Sequence, residues 1–268
     1  GGFNNGTSGG ALNSFIGGGY NNLITTNAFS TTIIGGRNNT SNATGFIGGG
    51  SVNNITSSFG GVIGGGNNNN ITSSYCSIGG GNNNTITNIN SAISGGYNGI
   101  INAQYGFIGG GMDGNITSLS NFSGILGGYG LKLVNSSTAA VGTYNDPGTT
   151  GVSPFRVFMV GNGINDGSRS NLFSVWTNGN ARAATAFVMG GADFAEYFES
   201  YNGEEIMAGT PVTFNNNTRK IRGATEDDIP FGVVSKTACS IGNSAEEEWN
   251  GKYEKNIDGS FMYEIYDE

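Results

Sequence analysis

The sequence predicts an all-β fold: a β-solenoid of about 15-residue coils, followed by a small β-rich C-terminal domain. Three observations lead there. An Ile-Gly-Gly step recurs from Phe15 to Gly128, a short Asn-Ile-Thr element alternates with it, and the composition changes sharply near residue 150. A chain of 268 residues has room for one large domain or two of ordinary size, and the change in composition favours separate parts. The expected boundaries are 1–145 for the Gly/Asn-rich repeats, 146–189 for a β-meander connector and 190–268 for the C-terminal domain.

The glycine step reads Phe15-Ile-Gly-Gly-Gly19, Ile33-Ile-Gly-Gly36, Phe46-Ile-Gly-Gly-Gly50, Val62-Ile-Gly-Gly-Gly66, Ser77-Ile-Gly-Gly-Gly81, Ile93-Ser-Gly-Gly96, Phe107-Ile-Gly-Gly-Gly111 and Ile125-Leu-Gly-Gly128, with a period of 13 to 18 residues. Between the steps run Asn22-Leu-Ile-Thr25, Asn54-Ile-Thr56, Asn70-Ile-Thr72, Asn84-Thr-Ile-Thr87 and Asn115-Ile-Thr117. Each repeat therefore offers two short apolar strands and two turns. Helix is excluded, because glycine costs about 1 kcal/mol at each helical position and asparagine and threonine are weak helix formers. One coil cannot bury its own isoleucine, whereas stacked coils cover each isoleucine from above and below. Glycine supplies the positive φ and close approach that corners need. Asparagine tolerates the left-handed conformation there and can ladder from coil to coil. The many Asn-X-Ser/Thr triplets arise from composition and carry little evidence of glycosylation.

These repeats resemble the head repeats of trimeric autotransporter adhesins and similar repeats in phage tail fibres, over roughly residues 8 to 145. The resemblance implies a left-handed parallel β-roll, three chains packed around an axis as a homotrimer, and a stalk or knob that binds surfaces. The present repeat has two or three glycines where the adhesin repeat usually carries alanine and a single glycine.

Past Val141-Gly-Thr143 the repeat ends at Asp146-Pro-Gly148, a turn signal expected to halt the solenoid. Phe155-Arg-Val-Phe-Met-Val160 and Asn171-Leu-Phe-Ser-Val-Trp176 follow, each closed by a glycine turn, and read as strands of a meander. Arg169 between them is expected to serve a turn or an intersubunit hydrogen bond. So many aromatics mark this segment as an interface.

The segment Gly190-Gly-Ala-Asp-Phe-Ala-Glu-Tyr-Phe-Glu-Ser200 sets Asp193, Glu196 and Glu199 three apart. On a helix they would share one face, and crowding would raise one carboxyl pKa to give a proton donor beside an acceptor. The other reading is a solvated acidic face at the first turn of a helix, favoured by its dipole.

Together with Ala192-Asp-Phe-Ala-Glu196, the motifs Gly209-Thr-Pro-Val-Thr213, Lys220-Ile-Arg222, Asp228-Ile-Pro-Phe-Gly-Val-Val-Ser235, Ser240-Ile-Gly-Asn243 and Trp249-Asn-Gly-Lys-Tyr253 resemble a known domain. It is the intramolecular-chaperone (IMC) autoproteolytic cleavage domain of phage tail spikes and pre-neck appendages, classed with glutamic peptidases. The resemblance implies a domain that helps its parent fibre trimerise and then cuts itself off. It matches Asp193 and Glu196 to the catalytic acidic pair, with Glu199 as a third carboxylate, and puts the scissile bond at or near Ala192–Asp193. Some members have serine where Ala192 stands.

Charge sorts the remaining function classes. Residues 1–150 carry only Arg37, Asp113, Lys132 and Asp146, so the net charge of −8 lies wholly in the rest of the chain. An acidic chain with no histidine and no basic cluster is a poor partner for nucleic acid. No apolar run approaches the roughly 20 residues of a membrane-spanning helix, so no membrane insertion is expected. Cys76 and Cys239 lack close-spaced Cys or His neighbours, so no metal or cofactor is expected, and both read as buried small residues. With no initial methionine and a C-terminal domain short of the family's length, the chain reads as part of something longer.

The expected function is a structural component of a virion tail fibre or spike, with a self-cleaving chaperone domain and a host cell-surface receptor or glycan as partner. The alternative is an extracellular surface adhesin without proteolysis. A glycan-degrading spike needs a carboxylate pair on the solenoid, which Asp113 and Asp146 supply poorly. An ice-binding face needs regular Thr-X-Thr rows, which are missing.

Overall fold

A computed structural model describes residues 1–25, 28–56, 59–185, 194–215, 218, 220–236 and 240–242, and the chain divides into units Gly1–Ala186 and Phe187–Glu268.

The first unit is the expected solenoid. Its strands alternate between two sheets that run its length. Among the described residues nine parallel strands, from Gly6–Thr7 to Lys132–Leu133, form the asparagine-side sheet. Twelve, from Phe15–Ile16 to Ala181–Ala183, form the glycine-side sheet. Single-residue bridges add a third parallel line from Phe3 through Tyr20, Arg37 and Ser51 to Tyr129. Most solenoid strands are two residues long, so one residue faces in and one faces out.

Stacking in register builds the core. Ile63, Ile78, Ile93 and Ile108 follow one another on the glycine side, and Ile55, Ile71, Ile86, Ile101 and Ile116 on the other. All are buried. Burial stabilises each by about 1.5–3 kcal/mol. The outward residues differ by side: Phe46, Val62 and Phe107 are exposed on the glycine side, whereas Thr40, Asn54, Asn70 and Thr85 lie on the asparagine side.

Corners explain the composition. At the last glycine of a step, Gly66 has φ 89°, and a Cβ there would lie 2.1 Å from the carbonyl oxygen of Gly81 in the next coil. Only glycine fits. Three residues on, a buried ladder runs Asn22, Asn39, Asn53, Asn69, Asn84. Asn69 shows its chemistry: its Nδ2 donates to the carbonyls of Gly65 and Gly81 at 3.0 Å. Its Oδ1 accepts the backbone N–H of Asn84 at 3.1 Å.

A second asparagine ladder stands beside it in the left-handed region, with side-chain bonds Asn21→Asn38 at 2.8 Å and Asn68→Asn83→Asn98 at 2.8 and 2.9 Å. Val52 interrupts this row at φ 59°. A β-branched residue is an outlier there, at a cost of about 1–3 kcal/mol.

Cys76 occupies a corner row that it shares with the hydroxyls of Ser91, Ser123 and Thr138 and with glycines such as Gly61 and Gly106. Its thiol donates to Asn88 O at 3.0 Å, as Ser91 Oγ donates to Ala103 O at 3.0 Å. It is free and buried, and burial pushes the thiol pKa up. Cys239 lies outside the described residues.

The Asp146-Pro-Gly148 turn ends the repeat but not the sheet. Strand Arg156–Asn162 pairs parallel with Ala139–Thr143, and Asn171–Trp176 and Ala181–Ala183 then add antiparallel. The Arg156 guanidinium is 2.9 Å from Asp146 and stacks over Trp176, whose ring Arg182 also covers. Arg169 bonds within the chain: Nη1 donates to Gly130 O at 2.8 Å and Asn145 O at 3.1 Å, and the guanidinium pairs with Asp166. It satisfies carbonyls at the end of the stack.

In the second unit, Pro211–Phe214 is the centre of a three-stranded antiparallel sheet flanked by Ile221–Gly223 and Gly232–Val233. Phe194–Glu196 pairs parallel with Ser240–Gly242.

Candidate functional site in the C-terminal unit

The acidic segment is a strand where it is described, which corrects the helical reading. Phe194–Glu196 is held by its ladder to Ser240–Gly242, with Glu196 opposite Gly242. Phenylalanine at 194 favours a strand. A period of three therefore does not place Glu196 and Glu199 on one helical face. Asp193 and Ala192, and with them the expected scissile bond, lie outside the described residues.

The two described carboxylates differ in their surroundings. Glu199 pairs with Lys220, Oε2 to Nζ 3.0 Å, and its backbone carbonyl accepts the Ile221 N–H at 2.8 Å. It joins its segment to the sheet. Glu196 is exposed and has no ion-pair partner among the described residues.

This segment meets two others that are distant in sequence. Phe198, Phe214 and Phe231 form one ring cluster, with centroids 5.7, 5.6 and 4.3 Å apart and Phe214 stacked on Phe231. Arg222 clamps Asp228 with two bonds of 2.6 and 2.8 Å, and Asp228 also accepts the backbone N–H and the hydroxyl of Thr225. The Arg222 bonds, reinforced by Thr225, hold the Asp228 carboxyl well below the usual carboxylate range. Asp228 also raises the Arg222 pKa. The sequence motifs hold Arg222 and Asp228 separately, in Lys220-Ile-Arg222 and Asp228-Ile-Pro-Phe231, and leave out Thr225, so they do not reveal the clamp. Among the described residues this unit buries one large apolar side chain, Val212, while Met207, Ile229 and Val233 stay exposed.

No cluster of three or more metal-ligating side chains occurs among the described residues. No helix among them is long and apolar enough to cross a membrane.

Comparison with known proteins gives this geometry a context. The chain is 38% identical over 89 residues to the preneck appendage protein of Bacillus phage PZA, and 38% over 89 residues to the pre-neck appendage protein of Bacillus phage phi29. Each match covers 32% of this chain and 10% of the relative, so the chain matches about a tenth of the length of these proteins. The crystal structure of the pre-mature bacteriophage phi29 gene product 12 superposes over 94% of this chain and 38% of its own, with TM-score 0.50 and 18% identity, a likeness of fold. Residues 156–267 match the family model described as Peptidase_G2, IMC autoproteolytic cleavage domain, which takes in the strands from Arg156 onward as well as the C-terminal unit.

Proposed function

We propose that this chain is part of a virion appendage: a solenoid shaft that assembles as a homotrimer, contacts the host surface and is followed by a domain that cuts itself off. The observation that carries the reading is the match of residues 156–267 to the IMC autoproteolytic cleavage domain, in a chain 38% identical over 89 residues to phage appendage proteins.

Cleavage falls to Asp193 and Glu196, with Glu199 held by Lys220 as a support. Water adds to the carbonyl carbon of Ala192 and gives its proton to one carboxylate. The other carboxyl protonates the nitrogen of Asp193 as the C–N bond breaks. A peptide fixed beside its own carboxylates has a high effective concentration and needs no substrate pocket. The trimer supplies the trigger by pressing the segments together.

The glycine side supports assembly. A Cβ built on the glycine before the last of a step, at Gly65, Gly80, Gly95, Gly110 and Gly127, would meet nothing within 4 Å. Packing within one chain does not require glycine at these positions. Beside this row Phe15, Ile34, Phe46, Phe107 and Leu126 are exposed. A face that is apolar and without side chains along its centre suits close approach by identical chains. The resemblance of the repeats to trimeric adhesin heads points the same way.

Intact-mass spectrometry of the full-length protein tests the cleavage. Two fragments that join at or next to Ala192–Asp193, and that disappear in Glu196→Ala, are expected. An uncut chain, or equal cutting in Glu196→Ala, rejects the assignment.

A further inference from the structure

The solenoid's asparagine side carries a groove that the assembly and the cleavage do not use. It has a volume of about 460 Å³ and spans several coils around Val52, between the left-handed asparagine row and the outward residues of the asparagine-side sheet. We propose that this groove binds an uncharged, hydroxyl-rich oligosaccharide, with Val52 as its apolar floor and Asn38, Asn54, Asn68 and Asn70 as its polar contacts.

The ladder makes the site by breaking. Asn38 accepts from Asn21, but its Nδ2 finds valine where the next asparagine would stand. Asn68 donates to Asn83, but its Oδ1 finds valine on the other side. Among the described residues neither atom has a protein partner. On the sheet, Asn54 Nδ2 donates to Asn70 Oδ1 at 3.1 Å, and among the described residues Asn54 Oδ1 and Asn70 Nδ2 have no partner either. The Thr40 hydroxyl completes the wall. The groove thus presents unpaired donors and unpaired acceptors side by side, the set that a sugar hydroxyl, itself both donor and acceptor, can satisfy.

Two further observations select the ligand. No charged residue lines the groove, so nothing there rewards a phosphate or a carboxylate. Val52 is 44% exposed and sits in a left-handed conformation that its neighbours' asparagines adopt with less strain. An apolar patch framed by amides matches a pyranose ring, whose C–H face is apolar and whose rim is polar. Asn38 and Asn68 stand two coils apart, roughly 10 Å at the spacing of neighbouring strands, which calls for an oligosaccharide rather than one sugar.

This proposal deepens the host-surface part of the function above and is independent of self-cleavage. Its test exploits Val52→Asn, which restores the ladder from Asn38 to Asn68 and removes the strain. The full chain and this variant are titrated by calorimetry with a panel of neutral hexasaccharides of glucose, galactose and N-acetylglucosamine, and with an anionic polyol-phosphate polymer. At least one neutral hexasaccharide is expected to bind the parent chain and to bind Val52→Asn at least tenfold more weakly, while the variant melts at an equal or higher temperature. Loss of binding then cannot come from unfolding. Equal binding by both proteins overturns the groove but leaves host contact standing. Binding of the anionic polymer alone, or of no probe, overturns the neutral-sugar assignment; host contact is then judged separately by binding of the chain to intact host cells.

Discussion

The buried side chain of Asn84 donates to Oδ1 of Asn69 at 3.1 Å, and the same oxygen accepts the backbone N–H of Asn84 at 3.1 Å. One amide therefore closes a corner in its own coil and docks the next coil onto it. Asn69→Ala leaves the carbonyls of Gly65 and Gly81 and the N–H of Asn84 without this partner in a dry site. The Gly81 carbonyl keeps the Asn67 N–H, and with the other two groups unsatisfied at about 1–3 kcal/mol each, a loss of roughly 2 kcal/mol or more is expected in urea unfolding. Asn5→Ala, at the half-exposed start of the ladder, should cost less.

Adjacent glycines should behave oppositely. Gly66→Ala forces a Cβ against the Gly81 carbonyl at φ 89° and should unfold the solenoid or lower its melting temperature sharply. Gly65→Leu enters open space in the single chain and should leave its circular dichroism intact, while dissociating the assembly in size-exclusion chromatography.

The core should respond as stacked isoleucine. Ile71→Ala, with Ile71 fully buried between Ile55 and Ile86, should cost about 2–5 kcal/mol, measured by chemical denaturation.

Much of this was legible in the sequence. The glycine steps and Asn-Ile-Thr elements gave both sheets, because a two-residue strand needs only one inward isoleucine and repetition supplies its neighbours. The third line of bridges was not legible, since Tyr20, Arg37, Ser51 and Asn67 share a backbone position but no side-chain chemistry. The strand Arg156–Asn162 joining the solenoid sheet was hidden behind Asp146-Pro-Gly148, where the repeat does end and the Gly148 N–H bonds Asp146 Oδ1 at 2.9 Å. At the candidate site, spacing of three suggested a helix, but long-range pairing with Ser240–Gly242 overrode it. The assignment of Asp193 and Glu196 rests on the resemblance of motifs in order and not on local geometry.

Acid should loosen the C-terminal unit. The Asp228 pKa is lowered in the fold, so the Arg222–Asp228 clamp contributes fully above the ordinary carboxylate pKa. Its contribution fades as pH falls from there towards the lowered folded value. Asp228→Asn should remove that pH dependence in thermal melts followed from pH 6 down to about 2.

Alkali should act at the end of the solenoid. The Tyr144 hydroxyl is pushed up to about 12, first by its hydrogen bond with Tyr129 and then by desolvation. The stabilisation is complete below the ordinary tyrosine pKa of about 10 and is lost as pH rises through the folded value. Tyr129→Phe should bring the late tyrosine step of an ultraviolet titration back towards 10.

Chain stoichiometry tests the proposed assembly most directly. Native mass spectrometry of the intact protein should give three copies, and Gly65→Leu should give one. A stable monomer for the parent chain, at concentrations where the apolar glycine side would be saturated by any partner copy, would contradict the shaft and the assembly-triggered cleavage together.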